Sequence, residues 1–293
     1  MAIISTSNDT VHAVRSLLRG FSIEVTPGDV KSLDAASHLL PAGTEVFIAS
    51  LPKGTPDQLV TAATQLRRSG VIPVPHIAAR AYANLSGLDS ALAQLSDRAG
   101  VDRVLLIAGD RENPAGAYES SLQVLQAGVL EKYGIKTLYV ACYPEGHPRI
   151  ADDVLEQQRI AKLEEASKRG LRIELVSQFC FEAAPIISFA RHMRSSGAIV
   201  PSYRVGLAGP ANSATLLKYA MMCGVGASIR ALRERQSLAK TLLSGPTPED
   251  LIETLALARH AEPNLGIDGL HFFTFGSLAM TATMIADIQN RIR

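Results

Sequence analysis

The sequence lacks the marks of several protein classes. Its three cysteines, Cys142, Cys180 and Cys223, are odd in number, far apart and set in apolar segments, which is typical of reduced thiols rather than of a disulfide framework. Their spacing matches no metal-ligand motif, so we expect no metal site. The 29 basic and 28 acidic residues leave a net charge of +1. Such a balance provides no overall field to attract nucleic acid or an anionic membrane.

Long apolar segments are also absent. The N-terminal stretch has no basic start followed by an uninterrupted apolar run, and no later segment approaches the roughly 18 to 20 apolar residues that a membrane span requires. We therefore expect a soluble, cytoplasmic protein whose partners are small molecules, with homo-oligomerisation left open. No GxGxxG follows an early strand, so the rival architecture, an open doubly wound dinucleotide-binding sheet, lacks support.

What the chain does contain is a regular alternation of apolar runs and helical patterns. Each short apolar or β-branched run predicts a buried strand, and a helix follows most of them. Eight strands are predicted: Phe21–Thr26, Glu45–Ser50, Ile72–His76, Arg103–Ala108, Thr137–Cys142, Arg172–Phe179, Tyr203–Leu207 and Gly269–Thr274.

Eight such units favour closure into an α/β fold, a single (β/α)8 TIM barrel spanning residues 1–293. A helix over Val11–Leu18 precedes the first strand, and two helices, Ser228–Leu243 and Pro248–His260, form an insertion before the last one. The intervening helices are predicted at Pro56–Ser69, Gly87–Ala99, Tyr118–Tyr133, Ala151–Arg169, Ala184–Ser196 and Asn212–Cys223.

Chemistry in such a barrel lies where the strands end, and polar residues are frequent there. Glu24 would be desolvated in an apolar barrel mouth, which raises a carboxyl pKa and suits a proton donor near neutral pH. The alternative is a structural role for Glu24, as a buried carboxylate paired with an arginine or lysine. Asp110 has a turn with a local ion pair as its alternative, and Gln178 a satisfied core hydrogen bond.

The loop after the fifth predicted strand is rich in functional side chains. It reads Tyr143-Pro144-Glu145-Gly146-His147-Pro148, and its prolines hold the preceding residues extended. It is either a wall for a ligand or a stiff connection with solvated side chains. His76 is either a ligand contact or a core histidine, His271 is interpreted as structural, and Lys53 and Arg80 as solvated loop cations.

Six short motifs, in this order, resemble the methylenetetrahydrofolate reductase family, a flavin-dependent barrel family of one-carbon metabolism. The resemblance spans nearly the whole chain. The motifs are Ile23-Glu24, Pro75-His76, Gly109-Asp110, the Tyr143 to Pro148 loop, Gln178-Phe179-Cys180-Phe181 and His271-Phe272-Phe273-Thr274.

The resemblance implies reduction of 5,10-methylenetetrahydrofolate to 5-methyltetrahydrofolate by NAD(P)H, with the hydride relayed through FAD. It implies that Glu24 is the general acid and that Asp110 is the carboxylate between flavin and pterin. Gln178 would bind the pterin, and Phe275 would supply a stacking surface. The implied cofactor contacts are Ser50, His76, Tyr118, Tyr143, His147 and Lys162.

The match breaks at positions that contact ligands. Ala108 stands where the family has an arginine, no aromatic follows the seventh strand, and Thr274-Phe275-Gly276-Ser277 lacks the family's arginine after the eighth. Three alternatives therefore stay open: a flavin-independent reductase of the same substrate, a folate-dependent methyl transfer or demethylation enzyme, and a folate- or flavin-binding barrel without activity. The choice between NADH and NADPH also stays open.

Overall fold

The fold is an α/β barrel, as predicted. The computed structural model describes residues 7–195, 201–223, 225 and 248–292. Eight parallel strands in the order β1 to β8 close into a barrel, with helices between them. The strands are β1 (Ser22–Val25), β2 (Glu45–Ile48), β3 (Ile72–Ala78), β4 (Arg103–Ile107), β5 (Thr137–Cys142), β6 (Arg172–Cys180), β7 (Ser202–Ala208) and β8 (Ile267–Phe273).

The helices follow the predicted alternation with one addition in the first connection and one at the C-terminal end. Short 3₁₀ turns lie at Ala79–Ala81, Glu131–Tyr133 and Pro263–Leu265. The described helices are α1 (Asn8–Leu18), α2 (Val30–Leu39), α3 (Pro56–Arg68), α4 (Leu85–Ala99), α5 (Ser121–Gln126), α6 (Asp152–Lys168), α7 (Ala183–Ser195), α8 (Ser213–Cys223), α9 (Pro248–Ala261) and α10 (Leu278–Arg291).

The observed helices differ from the predicted ones at several places. The predicted helix Tyr118–Tyr133 is wrong in extent, because only α5 and a 3₁₀ turn form there, and Gly128 with a φ of +66° separates them. α2 and α10 were not predicted. The predicted helix Ser228–Leu243 lies outside the described residues, and its companion Pro248–His260 is observed as α9.

The chain divides into two compact units. The first, called here the β1–β5 unit, comprises Ser22–Ala141 and Gln157–Leu175. The second, the β7–β8 unit, comprises Met1–Phe21, Cys142–Glu156 and Val176–Arg293. A single domain over residues 1–293 stays a prediction.

In the β1–β5 unit the strands are apolar runs buried along almost their whole length. Every residue of β2 is buried, and Phe47 at its centre is fully inaccessible. α3 shows how local sequence sets the boundaries of a helix: Thr55 and Gln58 form a reciprocal capping box, Pro56 occupies the first turn, and Gly70 follows with a φ of +78°. Proline at the start and glycine after the end are the residues that helix termini favour.

The β7–β8 unit is built on the pairing of β7 with β8, whose register shifts once at Tyr203/Arg204. Phe272 of β8 packs edge to face against Phe21, with ring centroids 6.1 Å apart. α1 packs against α9. All three cysteines lie in the described part of the chain, and none of them forms a disulfide. Of the helices that the structure describes, none combines the length and apolar character needed to cross a bilayer.

Candidate active site

The clearest candidate for chemistry in the β1–β5 unit is the pair of Glu24 on β1 and His76 on β3. The carboxylate Oε2 of Glu24 lies 3.4 Å from Nε2 of His76, and the two side chains are 19% and 8% exposed. Phe47 contacts the imidazole edge to face, with centroids 6.0 Å apart. The imidazole is therefore buried against an aromatic ring and lies close to the carboxyl.

Burial raises the pKa of Glu24 above its usual value of 4.5, and the neighbouring His76 opposes that rise. Desolvation has the larger effect on the pKa. The hydration free energy that the carboxylate loses on burial exceeds the free energy that it gains from attraction to one imidazole. Glu24 therefore holds its proton to a higher pH than an exposed glutamate does. A carboxyl of this kind, next to a second proton-carrying group, is suited to general acid catalysis.

Three consecutive strand-end loops of the same unit surround a small pocket. Ser50, Arg80 and Asp110 line it, one from each of the loops after β2, β3 and β4. Gly109 has a φ of +91°, and a Cβ at this position would lie 2.9 Å from Cβ of Ala78. Only glycine fits there without displacing β3. The structure thus brings two predicted site residues, Ser50 and Asp110, to one pocket, with Asp110 exposed.

Arg80 corrects an expectation, because it is not a solvated cation. Its guanidinium donates to the carbonyl oxygens of Arg111 at 2.9 Å and Glu119 at 3.1 Å. Its own backbone N–H donates to the carbonyl of Ala108, and its carbonyl accepts from the N–H of Ala115. Four hydrogen bonds at one residue therefore hold the loop that carries Asp110.

The two remaining cofactor predictions of this unit lie outside regular strand ends. Tyr118 is half-buried in the loop that Arg80 holds, one residue before Glu119. The prediction that it begins a helix is wrong. Lys162 is half-buried on α6. Contact of either side chain with a flavin stays a prediction.

In the β7–β8 unit, the loop after β5 is built as a tight turn. The carbonyl of Tyr143 accepts the N–H of Gly146 at 3.0 Å, and Gly146 has a φ of +81°. The rings of Tyr143 and His147 meet edge to face, with centroids 5.0 Å apart and planes at 81°. Both side chains are half-buried, which favours a built surface over a solvated connection.

The turn also has an internal anchor. Burial, and after it the negative charge of Glu145 in this turn, raise the pKa of the Cys180 thiol on β6. Nδ1 of His147 accepts the backbone N–H of Arg149 at 3.2 Å. An acceptor role for Nδ1 places the proton of the neutral imidazole on Nε2, so this ring presents an N–H on its other side.

Gln178 lies half-buried near the end of β6. Its side-chain oxygen accepts the N–H of Phe179 at 3.0 Å. Within the described residues the amide nitrogen of Gln178 makes no hydrogen bond, so its two N–H donors are available to a ligand. The structural alternative, a satisfied core hydrogen bond, therefore describes the side-chain oxygen of Gln178 but not its amide nitrogen.

Phe275 follows β8 and is half-buried in an aromatic cluster. Its ring contacts those of Phe179 at 5.2 Å, Tyr219 at 4.8 Å and Phe273 at 6.4 Å between centroids. Its φ is +50°, a left-handed conformation that a bulky residue adopts only under constraint. Such strain is typical of functional positions, because the surrounding packing has to hold it.

One polar network in the β1–β5 unit was missed in the sequence. Glu45, the first residue of β2, accepts hydrogen bonds from the hydroxyl of Tyr139 at 2.8 and 2.9 Å and pairs with the guanidinium of Arg103. The tyrosine is fully buried and the glutamate nearly so. A charged residue at the first position of a strand was an available signal for Glu45 and Arg103, whereas Tyr139 lies within an apolar run and carried no such signal.

Comparison with known proteins shows the fold. No family model matches the chain. An uncharacterised protein from Clostridium thermocellum that binds two copies of 5-methyl-5,6,7,8-tetrahydrofolic acid is similar over 94% of this chain and 98% of its own, with a TM-score of 0.59 at 10% identity. DHPS of Yersinia pestis with a pterine–sulfa conjugate is similar over 92% of this chain and 93% of its own, with a TM-score of 0.47 at 14% identity.

Proposed function

We propose that this chain reduces 5,10-methylenetetrahydrofolate to 5-methyltetrahydrofolate, with NAD(P)H as the source of the hydride and FAD as its carrier. The observation that carries the proposal is the enclosed Glu24–His76 pair. It supplies the protonated carboxyl that opening of the methylene bridge requires. The resemblance of six ordered motifs selects the folate substrate.

The reaction needs an acid before it needs a hydride. Glu24 transfers its proton to one of the two nitrogens that the methylene bridge joins, and the bond between that nitrogen and the bridge carbon breaks. This opens the five-membered ring and leaves a reactive iminium on the other nitrogen. The raised pKa of Glu24 keeps this proton available at a pH where an exposed glutamate has lost it. His76, 3.4 Å away, orients the carboxyl and stabilises the carboxylate that remains after the transfer.

Each unit contributes further residues to the proposal. In the β1–β5 unit, Asp110 supplies negative charge beside the cation that forms. In the β7–β8 unit, Gln178 donates its amide N–H groups to the pterin, and Phe275 stacks on an aromatic ring of the substrate. The ring contacts of Phe275 with Phe179 and Tyr219 support this role, because they hold the ring in one orientation.

Each unit, taken by itself, contains side chains that suit a flavin. In the β7–β8 unit the half-buried edge-to-face pair of Tyr143 and His147 suits a ring system. In the β1–β5 unit Ser50 suits a polar edge. His76, Tyr118 and Lys162 are the other proposed contacts. A flavin held by these residues would supply hydride transfer between the nicotinamide and the folate.

The C. thermocellum protein shows that a barrel of this fold can bind a reduced folate. It binds 5-methyltetrahydrofolic acid, which is the product of the proposed reaction. At 10% identity that support is limited to a shared barrel. The folate specificity of this chain therefore rests on its own residues.

The absorption spectrum of the purified protein, followed by turnover, tests the proposal. We expect flavin bands that bleach on addition of NADH or NADPH and return on addition of 5,10-methylenetetrahydrofolate, with 5-methyltetrahydrofolate as the product. Binding of folate and flavin without any turnover would contradict the reductase. Methyl transfer from 5-methyltetrahydrofolate to an acceptor, with no hydride transfer, would replace it with the transferase alternative.

A second candidate, direct hydride transfer from nicotinamide to folate without flavin, is favoured by one observation. Ala108 leaves no cation before Gly109-Asp110, and the nearby guanidinium of Arg80 is bonded to backbone carbonyls. A colourless protein that takes up no FAD on titration, yet oxidises NADH in the presence of 5,10-methylenetetrahydrofolate, would select this candidate.

A further inference from the structure

The β7–β8 unit contains a cavity that the proposed reaction does not use. It has a volume of about 220 Å³ and lies between α1 and the end of α9. Arg259 of α9 donates to the hydroxyl of Ser16 on α1 at 2.9 Å, which joins the two helices at the cavity. The residues that line it are His12, Ala13, Ser16, Ala256, Arg259, His260 and Pro263.

The chemistry of the lining is one-sided. Three nitrogen-bearing side chains, His12, Arg259 and His260, line the cavity, and among the residues that the structure describes no carboxylate lines it. Glu262, the acidic residue that follows α9, accepts a hydrogen bond from the guanidinium of Arg191 at 3.0 Å, so its negative charge is already paired. Asp9 lies one turn before His12 on α1, outside the lining. A guanidinium has five N–H donors, of which Ser16 takes one from Arg259.

Helix stabilisation explains only part of this arrangement. Arg259 and His260 lie in the last turn of α9, where positive charge stabilises the helix dipole. That role makes no use of His12, which reaches the same cavity from the middle of α1. Convergence of imidazole, imidazole and guanidinium from two helices is instead the donor set that an oxyanion requires.

We propose that this cavity binds a small phosphate-class oxyanion, held by the guanidinium of Arg259 and by imidazole N–H groups of His12 and His260. A phosphate accepts several N–H bonds at once and matches the fork of an arginine. The cavity is smaller than the roughly 300–1,000 Å³ typical of sites for larger organic ligands. The proposal is independent of the folate reaction.

Titration of the full chain with inorganic phosphate, at ionic strength held constant with chloride, tests the proposal. The imidazole proton signals of the seven histidines are followed by NMR, and His12→Asn and His260→Asn identify two of them. We expect these two signals to move together and to saturate. Arg259→Gln should weaken phosphate binding about tenfold, the usual effect of losing one charge-assisted hydrogen bond.

Matched controls separate a site from general charge screening. Arg98→Gln and His38→Asn remove an exposed arginine and an exposed histidine from the β1–β5 unit and should leave phosphate binding unchanged. Parallel shifts of all the histidine signals, or full affinity in Arg259→Gln, would overturn the proposal. Acetate should not displace phosphate, and displacement at equal concentration would contradict the phosphate class.

Loss of the Arg259–Ser16 hydrogen bond also has a structural cost, so folding has to be checked by circular dichroism. If Arg259→Gln does not fold, the double variant His12→Asn/His260→Asn provides the same test, because both imidazoles are exposed. Unchanged phosphate affinity in that folded variant would overturn the proposal as clearly.

Discussion

Two glutamates on neighbouring strands of the β1–β5 unit have opposite environments. Glu45, at the start of β2, is bonded to the hydroxyl of Tyr139 and paired with the guanidinium of Arg103. Glu24, towards the end of β1, lies beside the imidazole of His76, and burial raises its pKa. The side chains are 9% and 19% exposed, so burial differs little.

The role of a buried carboxylate therefore depends on its partners as much as on its burial. A permanent cation and a phenol both bond the side chain of Glu45, which is a structural arrangement. An imidazole beside Glu24 leaves the proton mobile. Pairing of a buried carboxylate with an arginine, the structural alternative considered for Glu24, is observed at Glu45. Three experiments test this contrast, in order of decreasing expected effect, and a fourth tests how Arg80 holds the neighbouring loop.

Glu24→Gln should abolish most of the activity while leaving the fold intact. The amide keeps the shape of the side chain but has no acidic proton, and loss of a general acid lowers a rate by a factor of about 100 to 10,000. The measurement is kcat for reduction of 5,10-methylenetetrahydrofolate, with thermal unfolding as the check on folding. Glu45→Gln is the matched control, and equal loss of kcat in both would contradict the contrast.

Glu45→Gln should instead destabilise the protein. Breaking a buried pair leaves the cation of Arg103 without its partner, which costs about 3 kcal/mol in the free energy of unfolding. Bonding of Arg103 to Asp102 at 2.8 Å offsets part of that cost. Denaturant unfolding of Glu45→Gln and Glu24→Gln, side by side, measures the difference. A smaller loss in Glu45→Gln than in Glu24→Gln would reverse our assignment.

Both activity and stability should depend on the ionisation of Glu24. Its pKa is raised in the folded state, so the folded protein binds this proton more tightly than the unfolded chain does. Stability should fall as pH rises from 4.5 through the folded pKa, and activity should fall as the acid ionises. Glu24→Gln should lack this part of both profiles. Identical pH profiles for stability in the two proteins would contradict the raised pKa.

Arg80→Lys should produce the smallest of the four effects. Lysine keeps the charge but cannot span the carbonyls of Arg111 and Glu119 as the planar guanidinium does. The loop holding Asp110 should exchange its amide hydrogens faster, and kcat/KM should fall about tenfold. Arg98→Lys on the exposed face of α4 is the control. Unchanged hydrogen exchange over residues 110–119 would show that Arg80 does not hold this loop.

The barrel could be predicted because its strands are marked locally. β5 was predicted with both of its ends, and most of the others within two residues, since a buried parallel strand must be a continuous apolar run. α2 and α5 were less predictable. Gly128, which ends the helical segment after Gln126, competes with a pattern that otherwise continues to Tyr133.

The candidate residues were predictable as positions, but not as partners. Strand ends identified Glu24, His76 and Asp110 from sequence. The 3.4 Å between Glu24 and His76 depends on residues 52 positions apart on strands separated by β2. The loop clamp of Arg80 was missed for the same reason, because its acceptors are backbone carbonyls that no residue type marks.

Apolar periodicity along the chain was enough to specify eight strands, their helices and the polar residues at their ends, because each strand buries its own stretch of sequence. Which carboxylate keeps a mobile proton, and which serves as half of a permanent ion pair, was set by the folded arrangement. Desolvation and pairing depend on neighbours that are distant in sequence, so Glu24 and Glu45 acquire different chemistry from the same side chain.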